Sequence, residues 1–348
     1  MATTKVDLDI DGRTVTVSSL DKPYFAELGL TKGDVIEHFR AVGPGILAAL
    51  KDRPTTMERW PGGWKPEATL ATRADGFGDA FYQKRVPKGA PDWVSTATIT
   101  FPSGRTAVEV APSDLATVIW MVNLGTLRFH PWPVSRTDTE IVDQLRIDLD
   151  PQPGTDFADA VRAAGELHGL LDEWQMPSWV KTSGGRGVHV FVPIRAEWDF
   201  IDARHAVIAI GRELERRMPD HVTTAWWKEE RGERVFVDFN QMARDRTMAS
   251  AYSIRPGPQA RVSTPVTWDE LPETDPDEHT VRTSATRFAE RGDVWESLYS
   301  SKGCGIETAL EAYERDARDH GLGEMPYPPE YPKMPGEPAR VQPSRKAH

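Results

Sequence analysis

The sequence predicts an α/β (α+β) protein in which a central, mostly antiparallel sheet is flanked by helices and joined to an N-terminal α/β module. Three observations lead to this fold class. Strand-like alternation recurs in QLRIDLD, VHVFVPI and RVFVDF, helical periodicity lies between these runs, and the first 125 residues mix short β-like runs with helical ones. A chain of 348 residues can bury a large core.

The N-terminal module begins with a predicted hairpin. VDLDIDGRTVTV alternates apolar and polar residues about the Asp-Gly pair at 11–12, which suits a tight turn with positive φ. Thr31 is a candidate cap for a helix that continues to the GPG sequence at 43–45, and a second short helix follows. β-like runs in TTMERW, AFYQKRV and VSTATITF then precede a helix from Ser113 to about Gly125.

In the second half, the strand QLRIDLD places two carboxylates on one face. Alternation separates an apolar face from a polar one, with Leu145, Ile147 and Leu149 opposite Arg146, Asp148 and Asp150. Helices are predicted at 156–175 and at about 202–218. Between them lie the strand SWVKT, the loop SGGRG and the strand VHVFVPI, and RVFVDF then forms a strand that carries Asp238.

Residues 1–325 are predicted to form one unit, with the N-terminal module to about 125, a core at about 126–300 and a C-terminal helix at about 301–325. Two helices are expected beyond Thr280. Residues 326–348 are rich in proline and poor in large apolar side chains, so this tail is expected to be extended, either wrapped on the surface or loose.

Composition is that of an ordinary soluble protein, with 39% hydrophobic and 27% charged residues. No apolar run is long enough to span a membrane, and the first residues do not resemble an export signal, so a cytoplasmic, nucleoid-associated location is expected. The single cysteine excludes an internal disulfide. The net charge of −11 argues against a nucleic-acid binder, unless basic residues form a local groove on an acidic protein.

Three aspartates are candidate ligands for two divalent cations. Asp148 and Asp150 share a strand face and Asp238 ends another strand, and carboxylate oxygens are the ligands that Mg²⁺ and Mn²⁺ prefer. Two such ions can assist an in-line displacement at phosphorus. The same pattern also occurs on solvated strand faces and in turns, so local sequence leaves both interpretations open.

The loop KTSGGRGVH is a candidate phosphate site. Its glycines allow close backbone approach to an anion, successive N–H groups can form an anion-binding nest, and Ser183, Arg186 and His189 add donors beside Gly184 and Gly185. The spacing is neither that of a Walker A loop nor that of a dinucleotide-binding motif. A hairpin loop that uses glycine only for its turn is an equally good explanation.

Other polar residues could complete a pocket. Candidates for nucleotide contacts are His130, Lys228, Arg231, Asn240, Gln241 and Arg255. Aromatic residues beside bases can stack on nucleobases, although buried aromatics are commoner, and the candidates here are Phe81 and Tyr82. A basic strip for DNA would include Lys22, Lys32, Lys84, Arg85 and Arg244.

Taken together, these segments resemble the polymerase domain of bacterial ligase D, a branch of the archaeo-eukaryotic primase superfamily. The matching segments, from about 21 to 271, include TKGDVIEHFRAVGPGIL, FYQK, FHPWP, RIDLDPQPG, VKTSGGRGVHVFVPI, RVFVDFNQ and AYSIRPGPQARVSTPVTWDEL, in that order. The resemblance implies a primase-polymerase core that fills short DNA gaps and end-joining breaks, often with ribonucleotides and with Mn²⁺.

The resemblance also implies roles for individual residues. The metal ligands would be Asp148, Asp150 and Asp238. The nucleotide and its phosphates would be contacted by Ser183, Arg186, His189, Arg231, Gln241 and Arg255, with His130 near the incoming sugar or phosphate. Lys22 and Lys32 would hold a 5′-phosphate, and Phe81 and Tyr82 would lie against the template.

The chain departs from the family pattern in two places. Arg186 stands where lysine is common, which preserves charge but changes donor geometry, and the variable segment RVPKGAPDW leaves open whether gaps or broken ends are preferred. The chain has no room for ligase and phosphoesterase domains, so a separate ATP-dependent ligase and the end-binding protein Ku are expected partners. A primer-independent primase and a non-catalytic DNA-bridging module remain alternatives.

Overall fold

The computed structural model describes residues 4–71 and 78–345, and this part of the chain contains sixteen strands and eight α-helices. The strands are β1 Lys5–Ile10, β2 Arg13–Ser18, β3 Pro23–Phe25, β4 Leu30–Thr31, β5 Thr55–Arg59, β6 Phe81–Gln83, β7 Thr96–Thr100, β8 Thr106–Val110, β9 Thr126–Pro131, β10 Val134–Ser135, β11 Asp138–Pro151, β12 Trp179–Thr182, β13 Val188–Trp198, β14 Val222–Thr223, β15 Val235–Val237 and β16 Pro265–Val266. The helices are α1 Lys32–Ala41, α2 Gly43–Leu50, α3 Leu115–Asn123, α4 Phe157–Glu173, α5 Phe200–Arg217, α6 Val281–Arg291, α7 Glu296–Ser300 and α8 Glu307–His320.

The larger sheet has seven strands in the order β14-β15-β11-β13-β12-β16, with β10 also paired to β11. All of its pairs are antiparallel except β14 with β15. The apolar side chains of β11 pack with those of α4 and α5 in one buried cluster, so the alternate residues of β11 point to the opposite face. The predicted mostly antiparallel sheet flanked by helices is therefore confirmed.

The N-terminal part contains the predicted hairpin and a second, five-stranded sheet. Strands β1 and β2 pair about the turn at 11–12, and the order β6-β5-β8-β7, with β9 on β5, forms the second sheet. Thr31 caps α1 as predicted, because its side chain accepts from Asp34 N while the Asp34 carboxylate accepts from Thr31 N. A second buried cluster joins this part to residues from 248–298, so the chain returns to its N-terminal half.

Three details differ from the sequence prediction. Helix α3 is capped by Asp114 rather than opened by Ser113, because the Asp114 carboxylate accepts from Thr117 N at 2.7 Å. Helix α5 begins earlier than predicted, with Asp199 as its cap. Three helices, not two, follow Thr280 in the part of the chain that the structure describes. The tail wraps on the surface: Tyr327 and Tyr331 are buried, and the Ser344 N–H donates to Glu229 Oε1 at 3.1 Å. No helix among residues 4–71 and 78–345 combines the length and apolar character that a membrane span requires.

A buried carboxyl on β8 predicts a pH-dependent stability. Burial, only partly opposed by the charge of Lys84, raises the pKa of Glu109 from 4.5 to about 8. Its Oε2 accepts from Trp132 Nε1 at 3.2 Å, whereas Oε1 has no partner among the described atoms. Because the folded protein holds this proton more tightly than the unfolded chain, Glu109 lowers the unfolding free energy as pH rises from about 4.5 to about 8.

We expect Glu109→Gln to remove this dependence. Between pH 6 and pH 8, the unfolding free energy of the variant should fall less than that of the native chain, by on the order of 2 kcal/mol. Urea unfolding at several pH values measures the difference, and Glu311→Gln, at an exposed position on α8, is the matched control. Parallel pH profiles for the native chain and Glu109→Gln would contradict the expectation.

Candidate active site

Three neighbouring strands place a row of polar side chains on the sheet face that points away from α4 and α5. Asp148 on β11 lies opposite His189 on β13, which lies opposite Lys181 on β12. His189 Nε2 is 3.4 Å from Asp148 Oδ1, and His189 Nδ1 is 2.7 Å from Lys181 Nζ. Lys181 also donates to Ser263 Oγ at 2.5 Å. The antiparallel register therefore aligns a carboxylate, an imidazole and an amine.

Asp238 reaches the same edge because β15 pairs with β11. The Asp238 N–H donates to the Asp148 carbonyl at 2.9 Å. Gln241, in the 3₁₀ turn Phe239–Met242, directs its Nε2 to Asp148 Oδ2 at 3.3 Å and to Asp238 Oδ2 at 3.2 Å. The Gln241 amide thus lies between the two carboxylates.

Asp150 is connected to Arg231 through a glutamine. Gln152 Nε2 donates to Asp150 Oδ2 at 3.0 Å, and Gln152 Oε1 accepts from Arg231 Nη1 at 3.3 Å. Arg231 is buried and also donates to the carbonyls of Ala225 and Trp226 at 3.1 and 3.0 Å. The Arg231 guanidinium therefore binds Gln152 and two backbone carbonyls, and it does not line the cavity described below.

The glycine-rich loop between β12 and β13 is closed by its own serine. Ser183 Oγ accepts from the N–H groups of Gly185 at 3.0 Å and Gly187 at 3.1 Å. These two amides are therefore used within the loop, contrary to the predicted nest. The Arg255 guanidinium lies over Gly185, where a Cβ would be 2.8 Å from its carbon. Arg186 is exposed, and its Nη2 is 3.4 Å from a backbone carbonyl at the end of β11.

The buried carboxylate of Glu58 on β5 contacts an imidazole and a guanidinium of the neighbouring strand β9. Glu58 Oε2 accepts from His130 Nε2 at 3.1 Å and pairs with Arg128 Nη1 at 3.0 Å. Burial opposes ionisation, but the His130 hydrogen bond and the Arg128 charge lower the pKa of Glu58 to about 2. The Tyr82 ring packs edge-on against His130 at 5.5 Å between centroids and is 45% exposed, whereas Phe81 is half-buried.

These elements enclose an open cavity of about 450 Å³. Two carboxylates and four guanidinium groups line it together, which suits a ligand that carries phosphates and bound cations. The lining residues suited to contact phosphates or cations are Arg128, His130, Asp148, Asp150, Ser183, Gly184, Gly185, Arg186, His189, Gln241, Arg255 and Arg261. Ten of these twelve residues were predicted from the sequence, and Asp238 reaches the same edge through Gln241.

We call the part of the sheet edge that carries Asp148, Asp150 and Asp238 the acidic edge. Two of these carboxyl groups have raised pKa values. Burial, together with the charges of Asp238 and Asp150, raises the pKa of Asp148 to about 8. Burial also raises the pKa of Asp238. The pKa values of His189 and Lys181 are both lowered well below their ordinary values, mainly by burial.

The predicted metal ligands lie at one sheet edge but do not form a closed cage. Among residues 4–71 and 78–345, no three His, Cys, Asp or Glu side chains converge closely enough to enclose an ion. The Gln241 amide lies between Asp148 and Asp238, and the Gln152 amide donates to Asp150. The donor chemistry nevertheless fits hard divalent cations, whose charge would relieve the carboxylate repulsion. Metal binding stays a prediction.

Lys32 is not part of an exposed basic strip, because it is only 5% exposed. Its Nζ donates to Ser18 O at 2.8 Å and to Asn123 Oδ1 at 2.7 Å. Burial and the charge of Lys22 lower the pKa of Lys32 to about 8. Lys22 is exposed and neighbours Lys32, whose N–H donates to the Lys22 carbonyl. Contact of either lysine with a 5′-phosphate stays a prediction.

Other predicted contacts lie away from the cavity lining. Lys84 forms an ion pair with Asp245, and Arg244 forms one with Glu140 at 2.6 Å. Lys228 is exposed in a short 3₁₀ turn outside the lining. The predicted basic strip therefore offers less positive charge to DNA than the sequence suggested, since Lys84 and Arg244 already have acidic partners.

Sequence reasoning missed Arg128 and Arg261 of the lining, and also Glu58 and Lys181. Arg128 and His130 occupy alternate positions on β9, so strand periodicity could have identified Arg128. Glu58 carried no local signal, because its importance comes from pairing across two strands. Lys181 stood inside the quoted motif, but its burial depends on the cross-strand register.

Comparison with known proteins identifies the family of the chain. A family described as "LigD, primase-polymerase domain" matches residues 31–295. The "Multifunctional non-homologous end joining protein LigD" of Mycolicibacterium smegmatis is 27% identical over 323 residues, covering 92% of this chain and 40% of that protein. The "Bifunctional non-homologous end joining protein LigD" of Bacillus subtilis is 32% identical over 258 residues, covering 73% of this chain and 39% of that protein.

A solved structure gives the same result. It is described as the "Polymerase Domain from Mycobacterium tuberculosis Ligase D in complex with DNA", and it superposes with a TM-score of 0.73 at 28% identity, covering 82% of this chain and 98% of that one. Fold and site together define a primase-polymerase class of protein. This chain belongs to the LigD primase-polymerase domain family, which confirms the resemblance, and it spans about 40% of the length of the curated relatives described above.

Proposed function

We propose that this chain is a template-directed nucleotidyltransferase that adds ribo- or deoxyribonucleotides to a 3′-hydroxyl at short DNA gaps or broken ends. The observation that carries the proposal is one cavity lined both by the carboxylates of Asp148 and Asp150 and by the guanidinium groups of Arg128 and Arg255. Family membership supports it, as do the end-joining names of the relatives and the DNA complex of the structural neighbour.

The residues that line the cavity would contact different parts of a nucleoside triphosphate. Arg128, Arg186 and Arg255 would bind and orient the phosphates, since guanidinium groups match phosphate geometry. His130, held by Glu58, would contact the incoming sugar or phosphate. Charge pairing across one cavity would fix the α-phosphate near the acidic edge.

Asp148, Asp150 and Asp238 would hold two Mn²⁺ or Mg²⁺ ions. When bound, such ions favour deprotonation of the 3′-hydroxyl and stabilise the pyrophosphate leaving group. Tyr82, exposed beside His130, offers a face on which a template base could stack. A separate ATP-dependent ligase would seal the product, and Ku would be a partner at broken ends.

The test is primer extension with the full chain on DNA that carries a short gap and a 5′-phosphate. We expect template-dependent extension with Mn²⁺ or Mg²⁺, using labelled ribo- or deoxyribonucleotides in separate reactions. An unprimed single strand tests for a primase, which alone would start new chains. Tight binding of gapped DNA without extension under any metal or nucleotide would overturn the proposal and favour a bridging protein.

A further inference from the structure

The loop that carries Asp238 and Gln241 is held from behind by the end of the chain. We call residues 238–246 the Asp238 loop and residues 322–340 the C-terminal strap. The front of the loop faces Asp148, through the Gln241 amide described above. The back of the loop is covered by the strap, which lies outside the residues that match the family.

Arg204 of α5 connects the two segments, and its side chain is fully buried. Its Nε donates to Asn240 Oδ1 at 3.0 Å, and its Nη2 donates to the carbonyls of Met325 and Pro326 at 3.0 and 3.2 Å. The Asn240 amide itself donates to the Pro326 carbonyl at 3.2 Å. Glu324 forms the ion pair that neutralises Arg204. Together these contacts join the loop, the strap and helix α5 to one another.

Aromatic packing adds to the same junction. The Arg204 guanidinium lies 3.8 Å from the Tyr327 ring centroid and 5.2 Å from that of Phe239 in the loop. Tyr327 and Tyr331 bury Ala243 of the loop in a small cluster of their own. Stacked guanidinium and buried aromatic rings resist displacement, so the loop is packed on a fixed support.

The strap is itself an ordered element. The buried carboxylate of Glu337 accepts from the N–H groups of Tyr327 at 2.8 Å and Met334 at 3.0 Å, and it pairs with Arg340. Arg212 of α5 donates to the two carbonyls that begin the strap, at 2.6 and 2.7 Å. A proline-rich segment held in this way loses little further entropy when it supports the loop.

We propose that the C-terminal strap positions the Asp238 loop for nucleotide transfer, with Arg204 as the positioning residue through which it acts. The inference rests on the proposed function, because it assigns the loop a catalytic task. Asp238 and Gln241 lie on a short 3₁₀ turn, whose geometry follows from what packs on either side. Loss of the strap removes the packing on one side and leaves the triphosphate-binding wall of Arg128 and Arg255 intact.

The experiment compares the full chain with two truncations. One ends after Gly321 and lacks the strap, and the matched control ends after Arg340 and retains it. We expect the shorter chain to lose about 10–100-fold in kcat for gap extension, with the nucleotide KM within about threefold of the native value. Its affinity for Mn²⁺, measured by electron paramagnetic resonance without DNA or nucleotide, should weaken about tenfold. The control should match the full chain in both measurements.

Full-length variants keep the test decisive if the shorter chain does not fold. Tyr327→Ala combined with Tyr331→Ala loosens the strap, and Arg204→Lys keeps the charge but loses the fork of donors. Folding is checked by thermal unfolding. Unchanged kcat and Mn²⁺ affinity in folded variants would refute the proposal that the strap positions the Asp238 loop. Absence of extension by the full chain would instead refute the proposed function, and in that case the Mn²⁺ measurement alone decides whether the strap shapes the acidic edge.

Discussion

Asp148→Asn is expected to abolish nucleotide addition, with kcat for gap extension reduced at least about 10³-fold. Asp148 lines the cavity, and both the amide of Gln241 and the imidazole of His189 contact it. An amide in its place retains the size of the side chain but supplies neither negative charge nor the same affinity for a divalent cation. Single-turnover primer extension on gapped DNA measures the loss.

The folded state is not expected to suffer from this change. Neighbouring carboxylates repel Asp148 in the ion-free protein, so a neutral amide should leave the thermal midpoint at or above the native value. Asp220→Asn, on the exposed turn after α5, is the matched control and should retain full activity. Retention of more than about a tenth of the native kcat by folded Asp148→Asn would show that the acidic edge is not the catalytic centre.

Strand periodicity explains why the acidic edge could be predicted from sequence. Alternation along β11 places Asp148 and Asp150 on the face opposite the leucines, and this follows from backbone geometry alone. The partner strand was also recognisable, because the motif that ends with His189 precedes an apolar run. The register that pairs His189 with Asp148 depends on tertiary packing, so their contact could be expected only from the family resemblance.

Long-range partners explain what the sequence could not show. The sequence placed Lys32 in a basic strip for DNA, but its ammonium is buried against Asn123, 91 residues away. Ser183 was predicted as a donor to an anion, and the sequence could not show that its hydroxyl oxygen also accepts two loop amides. The strap had no periodicity, since its order comes from carbonyl groups that bind Arg204 and from Glu337. Such contacts use backbone groups that nearly all residue types share, so the amino-acid pattern does not reveal them.

Gly187→Ala is expected to give the second large effect, through the fit of the glycine-rich loop against β11. A Cβ at Gly187 would lie 2.8 Å from the Leu149 carbonyl oxygen, which belongs to a paired strand and cannot rotate away. Leu149 stands between Asp148 and Asp150, so relief of the clash must move either the loop or the acidic edge. We expect a loss of about 1–3 kcal/mol in stability.

Activity should fall further than stability. A displacement near 1 Å between the loop and the acidic edge is enough to reduce kcat/KM for the nucleotide about 100-fold. Gly165→Ala is the matched control, because Gly165 is exposed in the middle of α4 with no atom within 4 Å of the added Cβ. That change should raise stability by roughly 0.5–1 kcal/mol and leave kcat/KM unchanged. Equal activity of the two variants would mean that the loop does not contribute to nucleotide binding, and that Arg128 and Arg255 hold the phosphates without it.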